Sequence, residues 1–256
     1  MNQQEKDFCF CTLALRPKYR SLAKRVAQDL ETNSPGTLLV VGTDDPKDFE
    51  GCSNVFTFSL HQRGILHCYH DKRFVIEEAL SQARAAIIID ADTRIVEKIP
   101  SDMTWKPGLT ACSENLIEHV KRYTPDRLKT LETVAEKLNI SLESVPWVGE
   151  SLFIVARDGG KEIEFLNLWG KIGNYLELKG IHAGSGNAIG LAAAKVGWTV
   201  NGERWHELYA ATKHLDASYE KKSRTFWQIW ERRLGYHYRL NRSRLQALKE
   251  FDFYYR

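Results

Sequence analysis

One stretch limits the folds open to this chain more than any other. The run Ala85-Ala86-Ile87-Ile88-Ile89 is apolar and largely β-branched, and it stops at Asp90-Ala91-Asp92-Thr93. An uninterrupted apolar run of this length reads as a strand buried on both faces, as in a parallel sheet covered by helices. Just before it, between Asp71 and Arg84, residues Phe74, Val75, Glu78, Ala79 and Gln82 recur at three- and four-residue spacings, which predicts a helix. A helix feeding a buried strand that ends in two carboxylates sets acid at the rim of an α/β sheet, where ligands bind. Carboxylates at the mouth of a core need a partner. A divalent cation carrying diphosphate oxygens supplies one. The alternative is that Asp90 and Asp92 only cap the next turn.

The rest of the chain fits such a sheet. Phe8 to Leu15 predicts a first buried strand, and Pro17 opens a helix from Lys18 to Leu30, a position where its missing N–H costs nothing. After the turn Asn33-Ser34-Pro35-Gly36, Thr37 to Gly42 and Val55 to Phe58 predict two more strands. Pro107 to Cys112 and Val145 to Val155 predict later ones, separated by a polar helical stretch from Asn115 to Lys137 that breaks at Thr124-Pro125. Strands alternating with helices in this order predict a mostly parallel sheet flanked by helices.

Other residues are candidates for chemistry. Arg73, opening the helix before the Asp pair, is placed to reach a phosphate. Glu150 stands directly before an apolar run, at the rim of the site or as a surface carboxylate. His61, His67 and His70 match no helix-borne ligand spacing and read as a loop flanking a cleft. The run Gly180-Ile181-His182-Ala183-Gly184-Ser185-Gly186-Asn187 leads into an Ala-rich helix. Glycines let backbone amides approach an anion or a sugar hydroxyl cluster at a helix N-terminus. The same pattern also suits a tight loop with close helix packing.

Composition narrows the class. The 256 residues have the apolar and charged fractions of a globular protein, and no apolar run is long enough for a membrane span. The N-terminus carries no signal-peptide pattern, so a cytoplasmic location is expected. The five cysteines include no C-x-x-C pair and read as reduced thiols, most of them buried. Residues 203–256 read as a helical extension of a first domain spanning 1–202. From Lys221 onward ten Lys and Arg, Lys221, Lys222 and Arg224 among them, face only Glu231, Glu250 and Asp252, with aromatics interleaved. The expectation is that the aromatics pack on the main domain and the charges stay in water. Contact with an anionic membrane surface, at its inner face, comes second. No nucleic acid is expected, since no binding module accompanies the charge.

Asp90-Ala91-Asp92, a strand end in mid-chain after a nucleotide-binding-like half, resembles the D-x-D motif of GT-A fold glycosyltransferases. The resemblance covers roughly residues 8–200 and implies a GT-A-like α/β domain. It also implies that Asp90 and Asp92 hold Mn2+ or Mg2+ on the diphosphate of a nucleotide sugar, with a UDP-sugar the expected donor. The acceptor would be a hydroxyl of a glycan or of a lipid-linked molecule. In the blood-group and α-1,3-galactosyl transferases a late His-Asp-Glu-Ser segment sets an acid beside the reacting carbon. The similar segment here, His182-Ala183-Gly184-Ser185, lacks both acids, and Glu150 is the nearest substitute. The resemblance thus gives Glu150 and His182 catalytic roles, and Arg73, Gly184 and Asn187 donor-binding roles. Two rivals are a non-catalytic nucleotide-sugar or glycan-binding protein and a haloacid-dehalogenase-like phosphatase. The second expects Thr where Arg94 stands.

Overall fold

A computed structural model describes residues 7–215 and 225–256. The first half alternates as the sequence predicts: β1 (Phe8–Ala14), α1 (Arg16–Asn33), β2 (Leu39–Thr43), β3 (Val55–Ser59), α2 (Lys72–Gln82) and β4 (Ala85–Ile89). There follow β5 (Thr93–Ile95), β6 (Gly108–Asn115), α3 (Leu116–Tyr123), α4 (Leu128–Leu138) and β7 (Pro146–Ala156). The C-terminal part holds α5 (Lys161–Leu178), α6 (Ser185–Lys195), α7 (Trp205–Ala210), β8 (Thr212–His214), α8 (Phe226–Ala247) and α9 (Phe251–Tyr255).

Six strands form one sheet in the order β3-β2-β1-β4-β7-β6. Strands β3, β2, β1 and β4 are parallel, whereas β7 runs antiparallel to both β4 and β6. The chain moves outward from β1 to β3, then crosses back to lay β4 on the other side of β1. Such a switch in direction opens a crevice beyond the carboxyl ends of the two strands, here β1 and β4.

Alternation along each strand divides the core into two layers. Cys9, Cys11, Ala86, Ile88, Phe153 and Val155 face one layer, filled by Phe165 and Trp169 of α5 and by the Ala-rich α6. Phe8, Phe10, Ile87, Ile89, Leu152 and Ile154 face the other, filled by α1 and by Trp105, Trp205 and Leu208. Only Cys9 and Cys11 of the five free cysteines are fully buried, because Cys52, Cys68 and Cys112 fall outside these strand interiors or on a bulged edge.

The expected division after residue 202 precedes two elements that pack into the main body. Trp205 Nε1 of α7 donates to the Leu152 carbonyl at 3.0 Å, and β8 pairs antiparallel with β5. The long helix α8 opens with a capping box, in which Thr225 and Gln228 satisfy each other's backbone amides. Its far end packs through Ala247, and Tyr254 of α9 donates to the Lys171 carbonyl at 3.1 Å. Of the basic tail, Lys221, Lys222 and Arg224 lie outside the described residues. Among the described residues, no helix is long and apolar enough to cross a membrane.

Candidate functional site

The Asp-x-Asp turn is held from several sides. Thr93 N–H donates to the Asp90 carbonyl at 3.0 Å, closing a tight turn after β4. Asp29 of α1 then takes both Arg94 Nε (2.6 Å) and Nη2 (2.8 Å), and also Ile95 N–H (3.0 Å), which clamps β5 onto α1. Arg94 is thereby directed away from the Asp pair. On the other flank β8 lies against β5 with Thr93 opposite His214, and Leu215 N–H donates to the Asp92 carbonyl at 2.9 Å.

These contacts bring together three side chains that the sequence separates. Donor atoms of Asp90, Asp92 and His214 lie within 4.8 Å of one another, the only such group of three among the described residues. His214 Nδ1 is 3.7 Å from Asp92 Oδ1, with Asp92 buried and His214 partly exposed. The two carboxylates suit Mn2+ or Mg2+, and the imidazole is a better ligand for Mn2+ than for the harder Mg2+. Three such donors would leave the remaining positions of a Mg2+-sized ion to water and diphosphate oxygens. The donor set fits Mn2+ better than Mg2+, with one Asp90 oxygen already paired with Lys72.

Lys72 brings a fixed positive charge to this site. It belongs to α2, is buried, and sets Nζ 2.5 Å from Asp90 Oδ1 and 2.8 Å from the Glu150 carbonyl. Burial works against its ammonium, but Asp90 and Glu150 outweigh that cost and hold its pKa above the ordinary lysine value. Arg73, one residue on and about 100° further round the helix, points away from the Asp pair. It stacks on Phe74 at 3.8 Å and lines a separate cavity of about 970 Å³ between α2, α5 and α8.

The cavity at the Asp pair has a volume of about 350 Å³. Leu15, Arg16 and Tyr19 wall it from the β1 end, His67, Cys68 and Tyr69 from the loop before α2, and Lys72, Asp90, Asp92, Glu150 and His214 form its polar floor. It therefore occupies the β1–β4 switch-point crevice. Arg16 adopts a left-handed backbone (φ 75°), a strained geometry for a side-chain-bearing residue, and its N–H donates to Asp44. Of the three loop histidines, His67 reaches this cavity. His70 is buried, and its Nδ1 accepts from Trp169 Nε1 at 3.0 Å. Burial, followed by the nearby His182, Arg232 and Arg16, lowers the His67 pKa. Burial raises the Cys68 thiol to about 11, so it stays protonated at neutral pH.

The glycine run is positioned differently from the Asp pair. Gly184 has φ 83° and precedes α6, whose first turn faces Glu150. The Glu150 Oε2 atom accepts from Ser185 Oγ and from Gly186 N–H (3.0 Å). A Cβ on Gly186 would stand 2.2 Å from the Val148 carbonyl, and one on Gly190 would stand 1.7 Å from that of Pro146. These glycines let α6 lie directly on β7, the close-packing alternative. Neither Gly184 nor the buried Asn187 lines the Asp-pair cavity. His182 stands 6.4 Å from the Tyr236 ring of α8, and its buried Nδ1 makes no hydrogen bond. Burial lowers its pKa.

Sequence reasoning missed Lys72 and His214. Lys72 adjoins Arg73 in the sequence, and helical phase turns it toward Asp90. His214 lies on a three-residue strand whose pairing with β5 carries no local signature. No family model matches the sequence and no curated protein is similar to it, so function has to be argued from the chemistry of the site itself.

Proposed function

We propose that the chain is a metal-dependent glycosyltransferase of the GT-A type, moving a sugar from a nucleotide diphosphate donor, a UDP-sugar, to a hydroxyl of a glycan or lipid-linked acceptor. The observation that carries this reading is the convergence of Asp90, Asp92 and His214 at the carboxyl end of β4, in the crevice where α/β sheets bind nucleotides. Mn2+ or Mg2+ held there supplies Lewis-acid neutralisation of diphosphate charge.

The chain's own groups divide the remaining work. Lys72 sits next to Asp90 and adds fixed positive charge beneath the diphosphate. Leu15, Arg16 and Tyr19 offer a wall for the nucleoside, with the Tyr19 ring available to stack. In the transfer the anomeric carbon–oxygen bond to the diphosphate breaks and a bond to the acceptor oxygen forms. The acceptor proton then needs a base. Glu150 lines the cavity, and its Oε1 makes no hydrogen bond among the described residues, which leaves it for that role. His182 and Arg73 lie outside this cavity, so neither is assigned a step.

A second reading, a binding protein without turnover, is favoured by one observation: half of the Glu150 carboxylate is committed to the α6 N-terminus. Hydrolysis of a panel of nucleotide sugars, with Mn2+, with Mg2+ and with chelator, separates the two. The transferase reading expects slow, metal-dependent cleavage of one donor. It expects that activity to fall by roughly 10³-fold in Asp92→Asn, several kcal/mol of lost charge stabilisation. Metal-dependent binding with no cleavage under any acceptor would support the binding protein instead.

A further inference from the structure

The C-terminal helix carries an exposed face that the main body leaves uncovered. Trp227, Trp230, Leu234, Tyr238 and Leu245 recur three, four or seven residues apart, which aligns them in one stripe along α8, with Leu248 just past its end. All six are exposed, Trp227 by 78% and Tyr238 by 68%. Residues 226–234 are exposed all round, Ile229 included, and from Tyr236 onward the opposite face, with Tyr236, Arg239, Ser243 and Ala247, meets the body. The expectation that the tail packs its aromatics on the main domain holds for Tyr236, Phe253 and Tyr254, and the rest turn out.

Cations edge the stripe. Arg233 and Arg244 flank it on one side and Arg242 on the other, and none has a carboxylate partner among the described residues. From Thr225 onward seven Lys and Arg stand against three Asp and Glu. Trp and Tyr suit the boundary between headgroups and acyl chains, and flanking arginines suit anionic headgroups. A second copy of the chain is a poorer occupant, because two such faces meeting would bring their arginine borders into opposition.

We propose that the outer face of α8 docks the protein on an anionic lipid surface, with Trp227, Trp230, Leu234 and Tyr238 inserted at the headgroup boundary and Arg233, Arg242 and Arg244 on lipid phosphates. The inner face of the same helix reaches a loop that borders the candidate site. Arg239 Nε donates to the Ile65 carbonyl at 3.1 Å, in the loop whose His67 and Cys68 line the Asp-pair cavity. Docking would therefore bring the loop that borders that cavity close to the lipid surface. The docking does not depend on the transferase reading, and its test involves no turnover.

The full chain is sedimented with vesicles of phosphatidylcholine, with and without phosphatidylglycerol, at low and high salt. Binding is expected only with phosphatidylglycerol, with release at high salt and a blue shift in tryptophan fluorescence. Arg233→Gln/Arg244→Gln should weaken binding about thirtyfold. Trp227→Ser/Trp230→Ser should abolish the fluorescence shift. Both sets of positions are exposed, so melting curves of the variants should match the parent. Equal binding to neutral vesicles, no binding, or variants that bind like the parent would overturn the proposal. So would a dimer in solution that dissociates in the tryptophan variant.

Discussion

Lys72 is the residue on which the candidate site balances. It lies buried between Asp90 and Glu150, and Asp92 stands two residues beyond Asp90. Lys72→Met should destabilise the metal-free protein by about 3 kcal/mol, because carboxylates at a cavity floor lose their counter-charge. Added Mn2+ should return part of that loss as it binds the folded state alone. Melting curves with Mn2+ and with chelator read both effects. A second pair of buried groups gives the molecule a pH signature. Burial pushes His70 down to about 4, so its stabilising contribution is full above 6.5 and lost as pH falls towards 4, by at most about 3 kcal/mol. Glu177, raised from 4.5 to about 7 by burial while accepting Ile65 N–H, works in the opposite sense. Its contribution is full below 4.5 and lost as pH rises through 7. Glu177→Gln should therefore be more stable than the parent above pH 7, by up to about 3 kcal/mol, and little changed below 4.5. Melting the two proteins across this range checks the sign. At this scale the sequence announces the Asp pair, because a buried run ending in two acids is rare chemistry in one place. It does not announce which cation serves them. Lys72 and Arg73 differ by one residue and about 100° of helical phase, which apolar spacing alone did not resolve.

Elements explain why those side chains meet. The ion pair between Asp29 and Arg94 fixes β5 on α1, and β5 in turn receives β8 with His214. Asp29→Asn should cost about 1–3 kcal/mol and loosen the position of His214, visible as a lower melting temperature together with weaker Mn2+ binding. Helix α6 depends on Gly190, where a Cβ would stand 1.7 Å from the Pro146 carbonyl. Gly190→Ala should force α6 off β7 and lower stability by about 1–3 kcal/mol, again read by melting. The strands and helices themselves were legible from apolar runs and spacing. The direction of β7 was not, because a strand buried on both faces reads the same whichever way it runs. The glycine run was ambiguous for a related reason. Glycine marks a close backbone approach, and the pattern does not say whether a ligand or a neighbouring strand makes it.

The whole molecule sets a shallow acidic crevice, at the switch point of a mainly parallel sheet, beside a helix with an aromatic outer face. The fold class followed from the order of buried runs. The third metal-ligand candidate came from more than a hundred residues downstream, through a two-stranded ribbon that only tertiary packing creates. The orientation of α8 was also outside the reach of composition, since the same basic and aromatic residues serve either a packed or a presented face. The most direct test is calorimetric titration of UDP into the parent and into His214→Ala, each with Mn2+ and with chelator. The account predicts binding that requires Mn2+ in the parent and is lost in His214→Ala while the melting curve is retained. Equal binding with chelator, or undiminished Mn2+-dependent binding in His214→Ala, would contradict it.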